Sequence, residues 1–297
     1  MTAHAPPRRA LLVCNPCSKH GADPVEAAVK RLTDRGVAVS RMDTGQREEM
    51  IAEVARRRGG FDCIIAAGGD GTANALAPAV LDAGVPLGVL PLGTANDLAR
   101  TLSIPIDIEA AADVVADGRR RTIDIGVAND IPFFNVASIG LSAELVSALG
   151  HETKKRLGRW GYVLAAARVL TGAQTFRAVI ATPAGAVRVK SYQIAVGNGR
   201  YYGGGVAVRP DAEIDDALLD LYSLGQGGLW KVVATAPLFK RGRHGFFREV
   251  RTARSRRLEI RTAEPMPVNL DGELCTETPV VIEVRPAAMD VFAPDVG

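Results

Sequence analysis

A glycine-rich turn between an apolar strand and a helix constrains the fold of this chain more than any other feature. Residues 63–67 form a short apolar run, and the letters GGDGT follow directly at residues 68–72. Three glycines within four residues allow left-handed backbone angles and a close approach of the backbone to a ligand. The N–H groups at the start of the following helix favour an anion. The turn therefore predicts a phosphate-binding loop, although a tight turn without any ligand would use the same glycines.

The same arrangement partly recurs further along the chain. The apolar run at residues 87–90 ends in the letters PLGTAND at residues 91–97, where a second helix begins. Two such loops on neighbouring strands can enclose one nucleotide.

Strands and helices alternate along the first third of the sequence. We expect strands at residues 9–13, 37–42 and 63–67, and helices at residues 23–34 and 46–58. This alternation predicts an α/β fold with a doubly wound parallel sheet. Ligands bind beyond the carboxyl ends of the strands in such sheets, which is where the glycine-rich loops lie.

The pattern changes after the first third. Residues 121–126 and 133–138 are typical of strands, and one helix is expected at residues 154–170. We therefore predict a nucleotide-binding α/β domain over residues 1–127. A β-rich, antiparallel, sandwich-like domain follows over residues 128–297, and its last strand can return to the first domain.

The two glycine-rich loops together resemble the diacylglycerol kinase catalytic-domain family, especially its soluble bacterial lipid-kinase branch. NAD kinases share GGDGT and phosphofructokinases carry a close variant, whereas GTAND at residues 93–97 favours the lipid kinases. The resemblance spans almost the whole chain and implies ATP and Mg²⁺ as cofactors. It implies nucleotide-binding or metal-organising roles for Asn15, Pro16, Thr44, Gly68, Gly69, Asp70, Gly71, Thr72, Asn74, Gly93, Thr94, Asn96, Asp97 and Asp124.

Composition agrees with an enzyme of this kind. The chain has 297 residues, of which 47% are hydrophobic and 23% charged, enough for two ordinary cores. No apolar run approaches the ~20 residues of a membrane-spanning helix, and residues 11–14 are too short for a signal peptide. We expect a cytoplasmic enzyme that meets its lipid at the inner face of the membrane.

The first loop departs from the family pattern. Asn15-Pro16 matches the family's first nucleotide loop, but the Ser-Gly pair that follows in relatives is Ser18-Lys19 here. Cys14 and Cys17 also form a C-x-x-C motif, for which a thioredoxin-like redox pair is the alternative. The other two cysteines, Cys63 and Cys275, lie in apolar runs where buried, inert thiols are common.

The base that would activate a lipid hydroxyl is predicted far along the chain, in the letters NLDGEL at residues 269–274. The resemblance assigns the general base to Asp271 and makes Glu273 a neighbour that binds or orients. Asp-Gly between alternating residues is also a strong hairpin signal, so a plain β-turn is the alternative.

An acidic turn at residues 213–218 corresponds to a structural Mg²⁺ site in the family. The resemblance implies Glu213, Asp216 and Leu218 as ligands, through carboxylate and main-chain oxygens, which Mg²⁺ prefers. Relatives usually have Asp-Gly where this chain has Asp216-Ala217. The alternative is a solvated acidic turn.

A basic segment runs from Lys231 to Arg261, with ten Lys or Arg against Glu249 and Glu259. Anionic leaflets attract such clusters, so the segment predicts peripheral membrane contact. Nucleic acid is disfavoured because the segment lacks interleaved aromatic residues apart from Phe246-Phe247. A solvated strand face is the alternative.

Taken together, the motifs predict an ATP-dependent lipid kinase that transfers the γ-phosphoryl group to a lipid hydroxyl. A diacylglycerol-like acceptor is favoured, and relatives also use sphingoid bases and phosphatidylglycerol. The alternatives are an NAD kinase-like enzyme and a catalytically silent nucleotide- or lipid-binding regulator. The joint presence of Asp70, Asp97 and Asp271 argues against the regulator, and a homodimer is left open.

Overall fold

The computed structural model describes residues 2–3, 5–14, 23–43, 47–141, 143, 173–202, 206–207, 212–225 and 250–295. Several predicted features lie outside these residues: Asn15, Pro16, Cys17, Ser18, Lys19, Thr44, the helix at residues 154–170, and residues 231–249 of the basic segment.

The chain divides into two compact units. The first takes the described residues up to Ile125 and those from Arg285 onward, and the second takes those from Gly126 to Val284. The boundary lies next to the predicted one at residue 127, and the C-terminal strand contributes to the first unit.

The first unit alternates strands and helices. In chain order its elements are β1 (Thr2–Ala3), β2 (Arg9–Cys14), α1 (Asp23–Asp34), β3 (Ala38–Asp43), α2 (Arg47–Arg56), β4 (Cys63–Gly68), α3 (Asp70–Ala83), β5 (Leu87–Pro91), α4 (Asp97–Thr101), α5 (Ile108–Asp117) and β6 (Arg119–Ala128). Within the parts of the chain that the structure describes, no helix is long and apolar enough to cross a membrane.

The sheet of the first unit is parallel and doubly wound, as predicted. β2 pairs in parallel with β3 on one side and β4 on the other, and β4 pairs in parallel with β5. The C-terminal strand, β18 (Val280–Phe292), extends this order through a parallel pairing with β5. Every residue of β4 and β5 is buried, which explains their continuous apolar sequences.

Cys63, at the start of β4, is a buried thiol in this sheet. Desolvation by burial raises its pKa to about 12. Because the pKa is higher in the folded than in the unfolded state, the protonated thiol contributes to the free energy of unfolding. This contribution is fully present at pH values below the unfolded-state pKa of 9.0. That contribution is lost as the pH rises through about 12.

We expect Cys63 to resist alkylation in the native protein at about pH 8, because the thiolate is the reactive form. Mass spectrometry after timed labelling should show Cys275, which is half-buried, reacting faster. In urea both should react at similar rates. Native Cys63 labelled as fast as Cys275 would contradict its inert role.

The second unit is built mainly from antiparallel strands. In chain order they are β7 (Ile131–Phe133), β8 (Val136–Gly140), β9 (Phe176–Thr182), β10 (Gly185–Gly197), β11 (Tyr201–Tyr202), β12 (Val206–Ala207), β13 (Leu219–Gly225), β14 (Val250–Ser255), β15 (Arg257–Thr262), β16 (Pro267–Leu270), β17 (Glu273–Glu277) and the first part of β18. The strand predicted at residues 133–138 is interrupted, because residues 134 and 135 separate β7 from β8.

The long strand β10 organises this unit. Its first half pairs with β9, and its second half pairs with β8 and β13. β8 in turn pairs with β16, which forms a hairpin with β17. Buried side chains from these strands form one hydrophobic core. The fold therefore places the predicted catalytic turn, between β16 and β17, directly beside the start of β8.

Candidate active site

The first glycine-rich loop connects β4 to α3 without left-handed backbone. Gly68 ends the strand, Gly69 is the N-cap with φ −93°, and Gly71 lies in the first turn of the helix. The prediction of left-handed angles is therefore wrong for these glycines. Gly69 has no side chain, so the N-cap residue itself cannot cap the first N–H groups of α3.

The glycines are needed because the two loops pack against each other. A Cβ on Gly93 would lie 2.5 Å from the Cα of Gly69, and a Cβ on Gly69 would lie 3.1 Å from the Cα of Gly93. A Cβ on Gly68 would clash with the side chain of Thr72. The close approach that the sequence predicts is thus present between the loops, and a valine at residue 69 would displace them.

Asp70 ties the first loop to the second. Its Oδ1 accepts a hydrogen bond of 2.9 Å from the backbone N–H of Leu98, in the first turn of α4. The carboxylate thereby caps that short helix, where a negative charge is favourable. Asp70 is half-buried, so it also contacts solvent.

Asn96 shapes the second loop. It has a left-handed φ of 50°, which asparagine tolerates better than most residues. Its Oδ1 accepts from the N–H of Gly93 at 2.9 Å, and its Nδ2 donates to the carbonyl of Gly93 at 3.0 Å. Thr94, at the tip of this turn, is exposed, whereas Asp97 is buried.

Other predicted nucleotide residues are engaged inside the first unit. Asn74 is fully buried and accepts a 2.9 Å hydrogen bond from Arg47, a contact that the sequence did not reveal. Asp124 on β6 is also buried, and its Oδ1 accepts from the N–H of Ala287 at 2.8 Å. Ala287 has a left-handed φ of 48°. The nucleotide roles of Asn74 and Asp124 stay predictions.

A small recess lies at the junction of the two loops. It has a volume of about 10 Å³ and is lined by Gly69, Asp70 and Asn96 with the apolar Val89 and Leu98. Ligand pockets usually enclose about 300–1,000 Å³. A nucleotide therefore needs surface beyond this recess.

In the second unit, Asp271 lies in a two-residue hairpin turn. Asp271 has φ 49° and Gly272 has φ 99°, the positive values of a type I′ turn. Asn269 supports the turn by accepting a 2.9 Å hydrogen bond from the N–H of Gly272. Asp271 therefore lies in a β-hairpin turn, as the alternative predicts.

The Asp271 carboxylate does more than close the turn, because it binds the segment that leads into β8. Oδ2 accepts from the N–H of Phe134 at 2.7 Å, and Oδ1 accepts from the N–H groups of Asn135 and Val136 at 2.9 Å each. The N–H of Asp271 donates to the carbonyl of Val136 at 3.0 Å. These bonds fix the position of the carboxylate. Glu273, at the start of β17, is exposed.

Sequence reasoning missed the asparagines beside this turn. Asn135 and Asn198 are both buried. The Asn135 carbonyl accepts from the N–H groups of Asn198 and Gly199, at 2.8 and 3.1 Å, and Asn198 Nδ2 donates to the carbonyl of Phe134. The letters GNG at residues 197–199 were the available signal, since glycine next to asparagine marks tight backbone packing.

Both units of the chain match models of known protein families. The model of the diacylglycerol kinase catalytic domain matches residues 9–128, and that of the YegS C-terminal NAD kinase beta sandwich-like domain matches residues 135–293. The chain belongs to the diacylglycerol kinase family. It is 33% identical over 280 residues to a diacylglycerol kinase of Bacillus subtilis, covering 90% of each chain.

Other relatives agree with this assignment. A diacylglycerol kinase of Mycobacterium tuberculosis is 31% identical over 296 residues, which covers 95% of this chain and 94% of the relative. A crystal structure of a diacylglycerol kinase from Bacillus anthracis has a TM-score of 0.82 and 26% identity, and covers 97% of both chains. The chain is therefore a lipid kinase with the two-part fold that its sequence predicts.

In this lipid kinase the acidic turn is bound to an arginine. Asp216 Oδ1 accepts from the N–H of Leu218 at 2.9 Å, and Oδ2 is paired with Arg254 of β14. Arg254 Nε also lies 3.1 Å from Oδ1 of Asp220, whose side chain is 4% exposed. Glu213 is exposed, and Ala217 has a left-handed φ of 59°.

The guanidinium thus supplies positive charge where the resemblance implies a divalent cation. Among the described residues, no group of three or more His, Cys, Asp or Glu could hold a metal ion. The Mg²⁺ site at Glu213, Asp216 and Leu218 stays a prediction, and the position of Arg254 speaks against it.

We expect Arg254→Gln to lower the free energy of unfolding by on the order of 2 kcal/mol, because it leaves buried Asp220 without this cation. The thermal midpoint should fall by several degrees. Arg251→Gln, an exposed position on the same strand, is the matched control and should have little effect. Calorimetry with Mg²⁺ and with EDTA should give the same midpoint for the parent protein. A midpoint raised by Mg²⁺ in the parent but not in Asp216→Asn would show that the turn binds the metal.

The described part of the basic segment is not one uniform cluster. Arg254 faces the acidic turn, while Arg257 pairs with Glu283 at 3.2 Å and Arg261 with Glu259 at 2.6 Å. The hydrogen bond from Arg261 lowers the pKa of Glu259. Arg251 and Arg256 are exposed. Membrane contact by the whole segment stays a prediction.

Proposed function

We propose that this lipid kinase uses ATP to phosphorylate the hydroxyl of a diacylglycerol-like lipid. The observation that carries the proposal is the pair of interlocked glycine loops in the first unit, joined through Asp70 and Leu98 at 2.9 Å. Backbone N–H groups at the start of α3 suit the phosphates of a nucleotide. The acceptor is proposed from the names of the full-length relatives.

Mg²⁺ is proposed to accompany the nucleotide. This ion usually binds through one or two carboxylates together with substrate phosphates, so it needs no preformed cluster. Asp70 is the half-buried carboxylate at the glycine loops and suits this role. Mg²⁺ would screen the charge of the phosphates during transfer.

Asp271 is the proposed general base. In the reaction, the lipid hydroxyl oxygen forms a bond to the γ-phosphorus while the bond from phosphorus to the β–γ bridging oxygen breaks. ADP leaves, and the hydroxyl proton passes to the Asp271 carboxylate. The three backbone N–H groups that hold this carboxylate orient it before the lipid binds.

The test is a transfer assay with labelled ATP and a panel of acceptors: diacylglycerol, a sphingoid base, phosphatidylglycerol and NAD. Chromatographic separation should show label in phosphatidic acid. Label in a phosphorylated sphingoid base or in phosphatidylglycerol would overturn the acceptor, and label in NADP would favour the NAD kinase alternative. A cytoplasmic location and a homodimer stay predictions.

A further inference from the structure

One face of the antiparallel sheet in the second unit carries an excess of positive charge. Five exposed cations lie on alternating positions of β9, β10 and β15, and we call them the cationic sheet face: Arg177, Arg188, Lys190, Arg257 and Arg261. The residues between them, such as Ile180, Val189 and Ile260, point into the core. Alternation of this kind places the five cations on the outer side of one sheet.

The strand register brings these cations together. Arg188 and Arg261 both lie opposite Val179, one on each neighbouring strand. Two residues along, Lys190 lies directly opposite Arg177. In the described part of the chain, the carboxylates that pair with these cations are Glu259, with Arg261, and Glu283, with Arg257. Among the residues that the structure describes, no carboxylate lies within salt-bridge distance of Arg177, Arg188 or Lys190.

The pair of Lys190 and Arg177 is unfavourable for folding. Like charges directly opposite each other on neighbouring strands destabilise a sheet. A sheet face built only for solubility would be better served by opposite charges at these positions. An external anionic surface would offset the repulsion.

We propose that the cationic sheet face docks this lipid kinase on anionic bilayers. The proposal rests on the proposed function, since the lipid acceptor resides in a membrane. Between these cations, the outward positions of β9 are Val179 and Ala181, and Tyr192 of β10 is half-buried against Tyr222 and Leu224. A face of cations and small aliphatic side chains suits headgroups better than the stacked bases of single-stranded nucleic acid. Each cation near an anionic leaflet strengthens binding about fivefold.

The test compares two triple variants of equal net charge. The first, Arg177→Gln/Arg188→Gln/Lys190→Gln, removes the unpaired cations of the face. The second, Arg8→Gln/Lys30→Gln/Arg119→Gln, removes three exposed cations of the first unit. Co-sedimentation uses phosphatidylcholine vesicles with and without about 30 mol% phosphatidylglycerol.

We expect the first variant to bind anionic vesicles about 100-fold more weakly than the parent, with no loss of thermal midpoint because the like-charge pair is gone. The control variant should bind like the parent, and salt should weaken parent binding by screening. Equal losses of vesicle binding in both variants would overturn the docking surface. So would a first variant that binds vesicles like the parent and loses only binding to a single-stranded oligonucleotide.

A soluble assay separates this proposal from the proposed function. Phosphorylation of a short-chain diacylglycerol dispersed in neutral detergent should be the same in the first variant and the parent. A parent that binds anionic vesicles through this face but phosphorylates no lipid would overturn the function alone. A parent that phosphorylates the dispersed lipid but ignores the charge of the vesicles would overturn the docking surface alone.

Discussion

Replacing Asp271 by asparagine should lower kcat by about 10²- to 10⁴-fold, the usual contribution of a general base. The sequence alone suggests that this substitution would leave the fold untouched, because asparagine suits a type I′ turn. The structure changes that expectation, since the carboxylate accepts three backbone hydrogen bonds from residues 134–136. The side-chain amide offers one acceptor oxygen, so we also expect a loss of stability on the order of 2–4 kcal/mol.

The control must weaken the same hairpin without removing the carboxylate. Asn269→Ala does so, because it deletes the acceptor for the N–H of Gly272. We expect this variant to lose stability but to keep kcat within a few-fold of the parent. Both variants should be assayed well below their thermal midpoints, and the pH dependence of kcat recorded. If Asp271→Asn and Asn269→Ala lose activity in proportion to stability, Asp271 is a structural clamp and not the base.

Asp70→Asn should reduce kcat/KM by about 10³-fold or more with little change in thermal midpoint. The asparagine oxygen can still accept the bond from the Leu98 N–H, so this substitution removes the charge and keeps the link between the loops. Loss of a charge positioned beside the phosphates and their metal has effects of this size in phosphoryl transfer.

Asp70→Ala is the companion variant, because it removes both the charge and the link. It should be as inactive as Asp70→Asn and less stable by about 1.5–3 kcal/mol, the range for a hydrogen bond to a charged group. Steady-state kinetics and calorimetry on the pair separate the two roles. Asp70→Asn with near-normal turnover would reduce Asp70 to a helix cap and remove the main support for the nucleotide site.

Local features of this protein could be predicted closely from its sequence. The helix expected at residues 23–34 is observed as Asp23–Asp34, and the strand expected at residues 63–67 extends by one residue to Gly68. Apolar periodicity and the positions of proline and glycine are properties of residues close together in the sequence. These helices and strands depend mainly on such residues, so local patterns predict them well. The break between β7 and β8 at residues 134–135 was not predicted. The local sequence there does not reveal that the distant Asp271 carboxylate binds this backbone.

Contacts across long stretches of chain could not be predicted in this way. Phe134 and Asp271 are 137 positions apart, and Arg254 and Asp216 are 38 apart. Each pair meets because the strand order brings β16 beside β8 and β14 beside β13. Strand order depends on how whole faces are buried, which no local pattern encodes.

The sequence by itself determined the alternation of strands and helices, the two glycine-rich loops, and the turn that carries Asp271. The tertiary structure decided what those residues touch. It showed that Gly69 and Gly93 are glycines because the two loops pack backbone against backbone. It also showed that Arg254 pairs with Asp216 of the acidic turn and with Asp220 of the next strand. The physical reason is that backbone preferences act over a few residues, whereas close packing and charge pairing depend on which distant segments the folded sheet makes neighbours.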